Sequence, residues 1–184
     1  MITLEKALEH SDSRRGDKGF SLIELLIVVA IILIIAAIAI PNYLSAKIAA
    51  NQAAAASGVR TITSASVVYS TTYSNGFAPS LAALGGIAAP PTCNGALLLD
   101  PLLSTAPNQK SGYLFTYLPQ GPAIASPPAG CVAGYLQYLV TATPLGTNTG
   151  TNSYCSDEPG TIHFANTGAA IPTPAACEAL PVLQ

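Results

Sequence analysis

A long apolar run near the N-terminus constrains this chain more than any other feature. Residues 20–40 are apolar or small throughout, with Ser21 and Glu24 as the exceptions, whereas residues 1–19 are polar. A helix needs about 20 such residues to cross the hydrocarbon core of a bilayer. The run therefore predicts one membrane-spanning helix close to the start of the chain.

Basic residues before this run predict its orientation. Arg14, Arg15 and Lys18 lie on its N-terminal side, and positively charged flanks stay in the cytoplasm, so the residues after the run are exported. An ordinary secretory signal is cleaved after its apolar core, at a site of small residues. Here an Ala-rich helical sequence simply continues, so cleavage before the run has to be considered.

The predicted helix continues beyond the apolar run. Pro41 should kink or loosen it, because proline lacks the backbone N–H that a helix needs. Residues 42–73 are rich in Ala and contain no further proline. Seven of their side chains recur at helical spacing and form one stripe suited to packing on a sheet: Ile48, Ala55, Val59, Ile62, Ser66, Tyr69 and Tyr73. We therefore predict one helix over about residues 20–73, hydrophobic in 20–41 and amphipathic in 42–73.

The rest of the chain, residues 74–184, has the pattern of a globular β-rich head. Asn75-Gly76 ends the helix, and Gly and Pro pairs mark the loop that follows. Four short runs have strand character: 112–118, 135–143, 153–156 and 161–165. We therefore predict an α+β fold in which the second half of the helix packs on a four-stranded antiparallel sheet.

Four cysteines, Cys93, Cys131, Cys155 and Cys177, all lie in this head. None belongs to a Cys-x-x-Cys pair, so zinc and thioredoxin-type redox sites are poorly supported. An even number in an exported segment favours disulfides. Three pairings are possible, and Cys93–Cys131 with Cys155–Cys177 is favoured because each bond then closes a contiguous loop.

Composition narrows the class of function. Charged residues make up 9% of the chain, against about 25% in ordinary soluble domains, which leaves the surface poorly protected against self-association. This favours an associating subunit over a secreted Ser/Thr-coated domain. There is no basic patch for nucleic acid. His163 is the only histidine after residue 19 and the acids are scattered, so we predict no enzyme, no metal site and no cofactor.

The start of the apolar run resembles a known signature. Residues 19–30 read Gly-Phe-Ser-Leu-Ile-Glu-Leu-Leu-Ile-Val-Val-Ala, and residues 39–43 continue the match. This sequence closely resembles the type IV pilin family, most strongly over residues 18–73. The resemblance implies a pilin fold. It also implies that a prepilin peptidase removes residues 1–19 by cutting between Gly19 and Phe20, and then methylates the Phe20 amine.

Glu24 is the most informative residue of the signature. A carboxylate near the centre of a membrane costs about 2.5–3.5 kcal/mol. One interpretation places Glu24 at headgroup depth, near the favourable end of the helix dipole. The resemblance implies instead that Glu24 pairs with the Phe20 ammonium of a neighbouring subunit and so sets the register of assembly. Pro41 resembles a family helix breaker, although a simple kink at the membrane exit explains it equally well.

The resemblance also implies a function and its partners. The chain is expected to be a structural subunit of a homo-oligomeric filament, assembled by an inner-membrane platform with a cytoplasmic ATPase. The precursor would cross the bacterial inner membrane once, before joining a surface pilus. Three alternatives stay open: a type II secretion pseudopilin in the periplasm, a minor or competence pilin, and a membrane-anchored binding domain that never assembles. Roles in adhesion, motility, secretion and DNA uptake are not distinguished.

Overall fold

The computed structural model of the protein describes residues 20–86, 89–158 and 160–183. Residues 1–19, which include the predicted cleavage residue Gly19, lie outside them. The contacts divide the chain into two units, Met1–Pro41 and Asn42–Gln184. The second unit adds the second half of the long helix to the β-rich region predicted at 74–184, and from here on the head denotes residues 42–183.

The first element is the long helix α1, Leu22–Tyr73, which confirms the single helix predicted from the sequence. It begins two residues later than predicted. The helix continues through Pro41, whose ring nitrogen cannot donate the backbone hydrogen bond that other residues in the helix donate.

The predicted stripe on α1 forms the centre of the core of the head. Ala55, Val59, Ile62 and Tyr69 are completely buried. Gly58, which lowers helix propensity by about 1 kcal/mol relative to Ala, lies on the same side of the helix. A Cβ atom at this position would be only 2.6 Å from the Phe115 ring. The absence of a side chain at Gly58 therefore lets an aromatic ring of the sheet approach the helix.

The sheet has five antiparallel strands in sequence order. They are β1 (Gln109–Lys110), β2 (Tyr113–Ala123), β3 (Tyr135–Pro144), β4 (Ser153–Asp157) and β5 (Ile162–Ala165). Strands β2 to β5 correspond to the four predicted strands. The prediction of four was wrong because β1 has only two residues, opposite Leu114 and Tyr113, and a strand this short shows no alternation.

Strand β2 also extends into a segment predicted as a loop from its Pro and Gly content. It reaches Ala123, five residues beyond the predicted end, and pairs with β3 past Pro119. Strand β1 pairs only with Tyr113 and Leu114, so the remainder of β2 is an edge strand. Proline is tolerated on an edge because no neighbouring strand requires its N–H.

The two faces of the sheet are covered by different parts of the head. On β3, Tyr138 and Val140 belong to the core under α1, whereas Leu139 between them belongs to a second cluster. Because neighbouring side chains in a strand point to opposite faces, the second cluster lies on the face opposite α1. It contains Cys155 and Cys177, and Cys177 comes from the short helix α4, Pro174–Glu178.

Two further short helices, α2 (Leu81–Leu84) and α3 (Pro101–Ser104), lie between α1 and the sheet in sequence. The C-terminal segment covers the outer edge of β5. The Phe164 N–H donates to the Pro181 carbonyl at 3.0 Å, and the Leu183 N–H donates to the Ile162 carbonyl at 2.8 Å. These bonds occupy backbone groups that an exposed edge would offer to other chains.

Candidate processing and assembly site

The predicted processing and assembly residues lie at the start of α1. Phe20 directly precedes the helix and is 77% exposed. Glu24 lies in the first turn, where the Leu25 N–H donates to the Ser21 carbonyl at 3.2 Å. The free N–H groups of a first turn carry partial positive charge, so a carboxylate is favoured at this end of the helix.

The apolar side chains that follow are exposed. From Phe20 to Ile40 every large apolar residue has between 46% and 79% of its surface exposed. By length and composition α1 can cross a membrane, since its best 18-residue window has a mean hydropathy of 3.3 and is 0% buried. Continuous apolar surface of this extent marks a region that lipid or protein covers.

Glu24 is the only charged residue between Phe20 and Pro41. Among the described residues, no cation lies within 4.0 Å of its carboxylate. Apart from Ser21, its neighbours in this stretch of the helix are apolar or small side chains.

The four cysteines form two disulfides in the head. Cys93 is bonded to Cys131 and Cys155 to Cys177, with sequence separations of 38 and 22. These are the two contiguous loops favoured from the sequence. The Tyr69 hydroxyl donates to the Cys93 carbonyl at 2.8 Å, which ties the first loop to α1.

Two asparagines hold the loop around Cys131, and the sequence singled out only Asn75, as a turn residue. Asn75 is completely buried, and its side-chain amide donates to the Val132 carbonyl at 2.8 Å. Asn94 donates to the Gly130 carbonyl at 2.8 Å and accepts from the Val132 N–H at 3.0 Å. Both asparagines precede a glycine, which is a turn signal. That signal gives the position of the turn and not the distant partner of the amide.

Asp157 is the most deeply buried acid among the described residues, with 1% of its surface exposed. Its Oδ2 atom has no hydrogen-bond partner among the groups that the structure describes. Burial, and then the carboxylates of Glu158 and Glu178, raise the pKa of Asp157, while His163 opposes this shift. A raised pKa means that the fold favours the protonated carboxyl.

His163 lies in β5, as predicted for an ordinary strand residue. Its Nδ1 atom is 2.7 Å from the Leu180 carbonyl oxygen. Across residues 20–86, 89–158 and 160–183, no group of three or more His, Cys, Asp or Glu side chains is placed to hold a metal ion.

Comparison with known proteins identifies the N-terminal segment. Residues 14–40 match the family described as the prokaryotic N-terminal methylation motif. The chain is also similar to the type IV wide pilus major component PilA4 of Thermus thermophilus, with 65% identity over 37 residues. That alignment covers 20% of this chain and 28% of the relative. No solved structure matches the chain.

The matched region and the architecture agree with each other. The methylation motif spans the residues just before α1 and the apolar run within it. The head adds an antiparallel sheet under the second half of the same helix. The chain therefore carries a prokaryotic N-terminal methylation motif at the start of α1, and over this segment it is similar to a type IV pilus major component.

Proposed function

We propose that the chain is a structural subunit of a type IV pilus-like filament, assembled through the apolar part of α1. The observation that carries this proposal is the exposed helical run with one carboxylate, Glu24, in its first turn. In the precursor, lipid covers these side chains. In the filament, the same helices of neighbouring copies cover them.

Processing precedes assembly in this proposal. A prepilin peptidase cuts between Gly19 and Phe20, where the lack of a side chain on Gly19 allows close approach to the scissile carbonyl. The cut removes Arg14, Arg15 and Lys18, which hold the N-terminus in the cytoplasm. It also creates the Phe20 amine, which keeps its positive charge after methylation.

The new amine gives Glu24 a partner. Among apolar helices, an unpaired carboxylate or ammonium is strongly unfavourable, and breaking such a pair typically costs about 3–5 kcal/mol. A stagger that places Glu24 of one copy next to the Phe20 ammonium of another avoids both unpaired charges. The pair therefore selects one register from the many in which smooth apolar helices could pack.

The location and the remaining partners follow from this order of events. The precursor lies in the inner membrane of a bacterium with its N-terminus in the cytoplasm. After processing, an inner-membrane platform driven by a cytoplasmic ATPase inserts the subunit into the filament, and the filament carries the head to the cell surface.

Mass spectrometry of the assembled protein tests the processing step. Fibres sheared from the cell surface should contain a chain that begins at a methylated Phe20. A chain in the fibres that still begins at Met1 would contradict the proposal.

The assembly step is tested by Glu24→Gln and Glu24→Leu, with Ser21→Ala as the matched control. The control removes a polar group from the same turn without changing charge. We expect either Glu24 variant to lower the fibre yield at equal expression by at least about tenfold, because the Phe20 ammonium loses its partner. The control should retain the parental yield. Parental assembly by Glu24→Leu would contradict the proposed role of Glu24.

A further inference from the structure

We propose that the head carries a second, electrostatic contact between copies of this chain, in which Arg60 of one copy pairs with Glu178 of the next. This inference rests on the proposed filament and adds a contact that the N-terminal motif does not supply. Both residues belong to the head, where Arg60 lies on α1 and Glu178 ends α4.

Arg60 lies on the outer side of α1. Ser64, Val67 and Thr71 follow it at helical spacing, and all four side chains are exposed. Val67 is 45% exposed, and Arg60 is the only charge on this side of the helix between residues 48 and 73. An open groove of about 370 Å³ lies beside Arg60, and Val68 and Leu98 also line it.

Among the acids that the structure describes in the head, only Glu178 remains for this contact. Asp100 is already bonded to Lys110, with Nζ and Oδ2 2.8 Å apart. Asp157 and Glu158 each have a buried carboxylate oxygen. Glu178 is exposed, and among the residues that the structure describes no cation lies within 4.0 Å of it or acid within 4.0 Å of Arg60.

The two charges lie on opposite faces of the sheet. Helix α1 covers the face of Tyr138 and Val140, and α4 packs with Leu139 and Cys155 on the other face. A symmetric dimer buries the same face of both copies, so it would not bring Arg60 of one copy to Glu178 of the other. A head-to-tail contact brings opposite charges together instead, and repeated contacts of this kind generate an open filament rather than a closed ring when the rotation does not close.

The surroundings of both charges suit such a contact. Val67 and Val68 are exposed near Arg60, and Val182 is 50% exposed in the segment that follows α4. Burying this surface between copies would exclude water from the ion pair and strengthen its electrostatic attraction. A second copy of the chain is thus an occupant with the right charge and the right apolar surface.

Charge reversal in the full-length protein tests the pair. Arg60→Glu and Glu178→Arg should each lower the yield of sheared fibres by at least about tenfold relative to total subunit, since like charges then face each other. The double variant Arg60→Glu/Glu178→Arg should recover most of the parental yield. Recovery also shows that the single variants had not simply failed to fold.

The matched control is Arg60→Glu/Thr147→Arg. Thr147 is exposed in the loop between β3 and β4, so this variant adds a cation to the head but not to α4, and its net charge is one unit more negative than that of the double charge reversal. It should remain defective, and equal rescue by Thr147→Arg would overturn the pair. Parental yield with Arg60→Glu alone would also overturn it while leaving the proposed filament intact. A parent chain that forms no fibres at all would overturn both.

Discussion

The apolar part of α1 and the head differ in what covers their apolar side chains. Between Phe20 and Ile40 every large apolar residue is at least 46% exposed, whereas Ile62 and Tyr69, further along the same helix, are completely buried by their own chain. The first region therefore depends on other molecules, and the second on distant parts of its own sequence. This difference decides which properties of each region can be inferred from sequence.

Two acids illustrate the contrast. Glu24 lies in the exposed apolar part of α1, and its proposed partner belongs to another copy of the chain. Asp157 is enclosed by its own chain, and Glu158 and Glu178 are the neighbours that raise its pKa. Substituting Glu24 should therefore alter assembly and leave the stability of the head unchanged, while substituting Asp157 should do the reverse.

Removing a disulfide is the largest change that we expect to act on the head alone. The variant Cys93→Ser/Cys131→Ser opens a loop with a sequence separation of 38. The free energy of unfolding of the head should fall by about 3–4 kcal/mol, because the unfolded chain regains the freedom that the bond restricted. Thermal denaturation of the purified full-length protein measures this loss.

The same variant tests whether the two regions are independent. Co-expressed with the prepilin peptidase, it should still be cut before Phe20 and methylated there, as judged by its intact mass. The control is Cys155→Ser/Cys177→Ser, which opens the shorter loop of separation 22 and should lose slightly less stability. Loss of cleavage in both variants would show that processing depends on the head.

A smaller effect is expected at Gly58, where a single methyl group would meet the Phe115 ring. The Cβ atom of Gly58→Ala would be 2.6 Å from two ring carbons. Overpacking of this kind typically costs about 1–3 kcal/mol, which exceeds the gain of about 1 kcal/mol in helix propensity. Denaturant unfolding should show a net loss of stability.

The double variant Gly58→Ala/Phe115→Leu identifies the cause. With the ring gone, adding the methyl group should be neutral or stabilising relative to Phe115→Leu alone. Ala37→Val, which enlarges an exposed residue of the apolar segment, should leave the stability of the head unchanged. A destabilising Gly58→Ala in the Phe115→Leu background would exclude the ring as the cause.

Sequence reasoning succeeded where the relevant information is local. The length of α1, its buried stripe and strands β2 to β5 all follow from spacing within short windows. The residues of the N-terminal motif are local in the same sense, because Phe20 and Glu24 are separated by only four positions. Patterns of this kind can be recognised without knowing what any residue contacts in the folded chain.

The features that the sequence did not predict all depend on distant partners. Gly58 lowers helix propensity, and only the nearby Phe115 ring explains why a residue without a side chain lies there. Asn75 was predicted only as a turn residue, yet its side-chain amide donates a hydrogen bond to the Val132 carbonyl, 57 positions away. Strand β1 is recognisable only from its pairing with β2. Nothing in a local window specifies which distant group will be opposite such a residue.

The smallest expected effects concern two aspartates of the head whose pKa values shift in opposite directions. Burial raises the pKa of Asp157, whereas the side-chain hydrogen bond from Lys110 is the main cause that lowers the pKa of Asp100. A group whose pKa is raised by folding stabilises the fold at pH values below its pKa in the unfolded chain, which is about 3.9 for Asp. That contribution is lost as the pH rises through the folded pKa. A group whose pKa is lowered by folding stabilises the fold at pH values above its pKa in the unfolded chain. This stability is lost as the pH falls through the pKa of the folded chain.

Asp157→Asn and Asp100→Asn, the same chemical change, should therefore have opposite pH dependence. Relative to the parent, Asp157→Asn should be most favourable near neutral pH and lose this advantage on acidification, because the parent carboxyl then becomes protonated. Asp100→Asn should be least favourable near neutral pH, by at most about 1 kcal/mol since the pair with Lys110 is partly exposed, and should approach the parent in acid. Unfolding free energies from about pH 7 to about pH 3 measure both profiles. Parallel profiles would mean that the fold stabilises the ionised form of Asp157, as it does that of Asp100. Its burial would then not distinguish it from an acid at the surface.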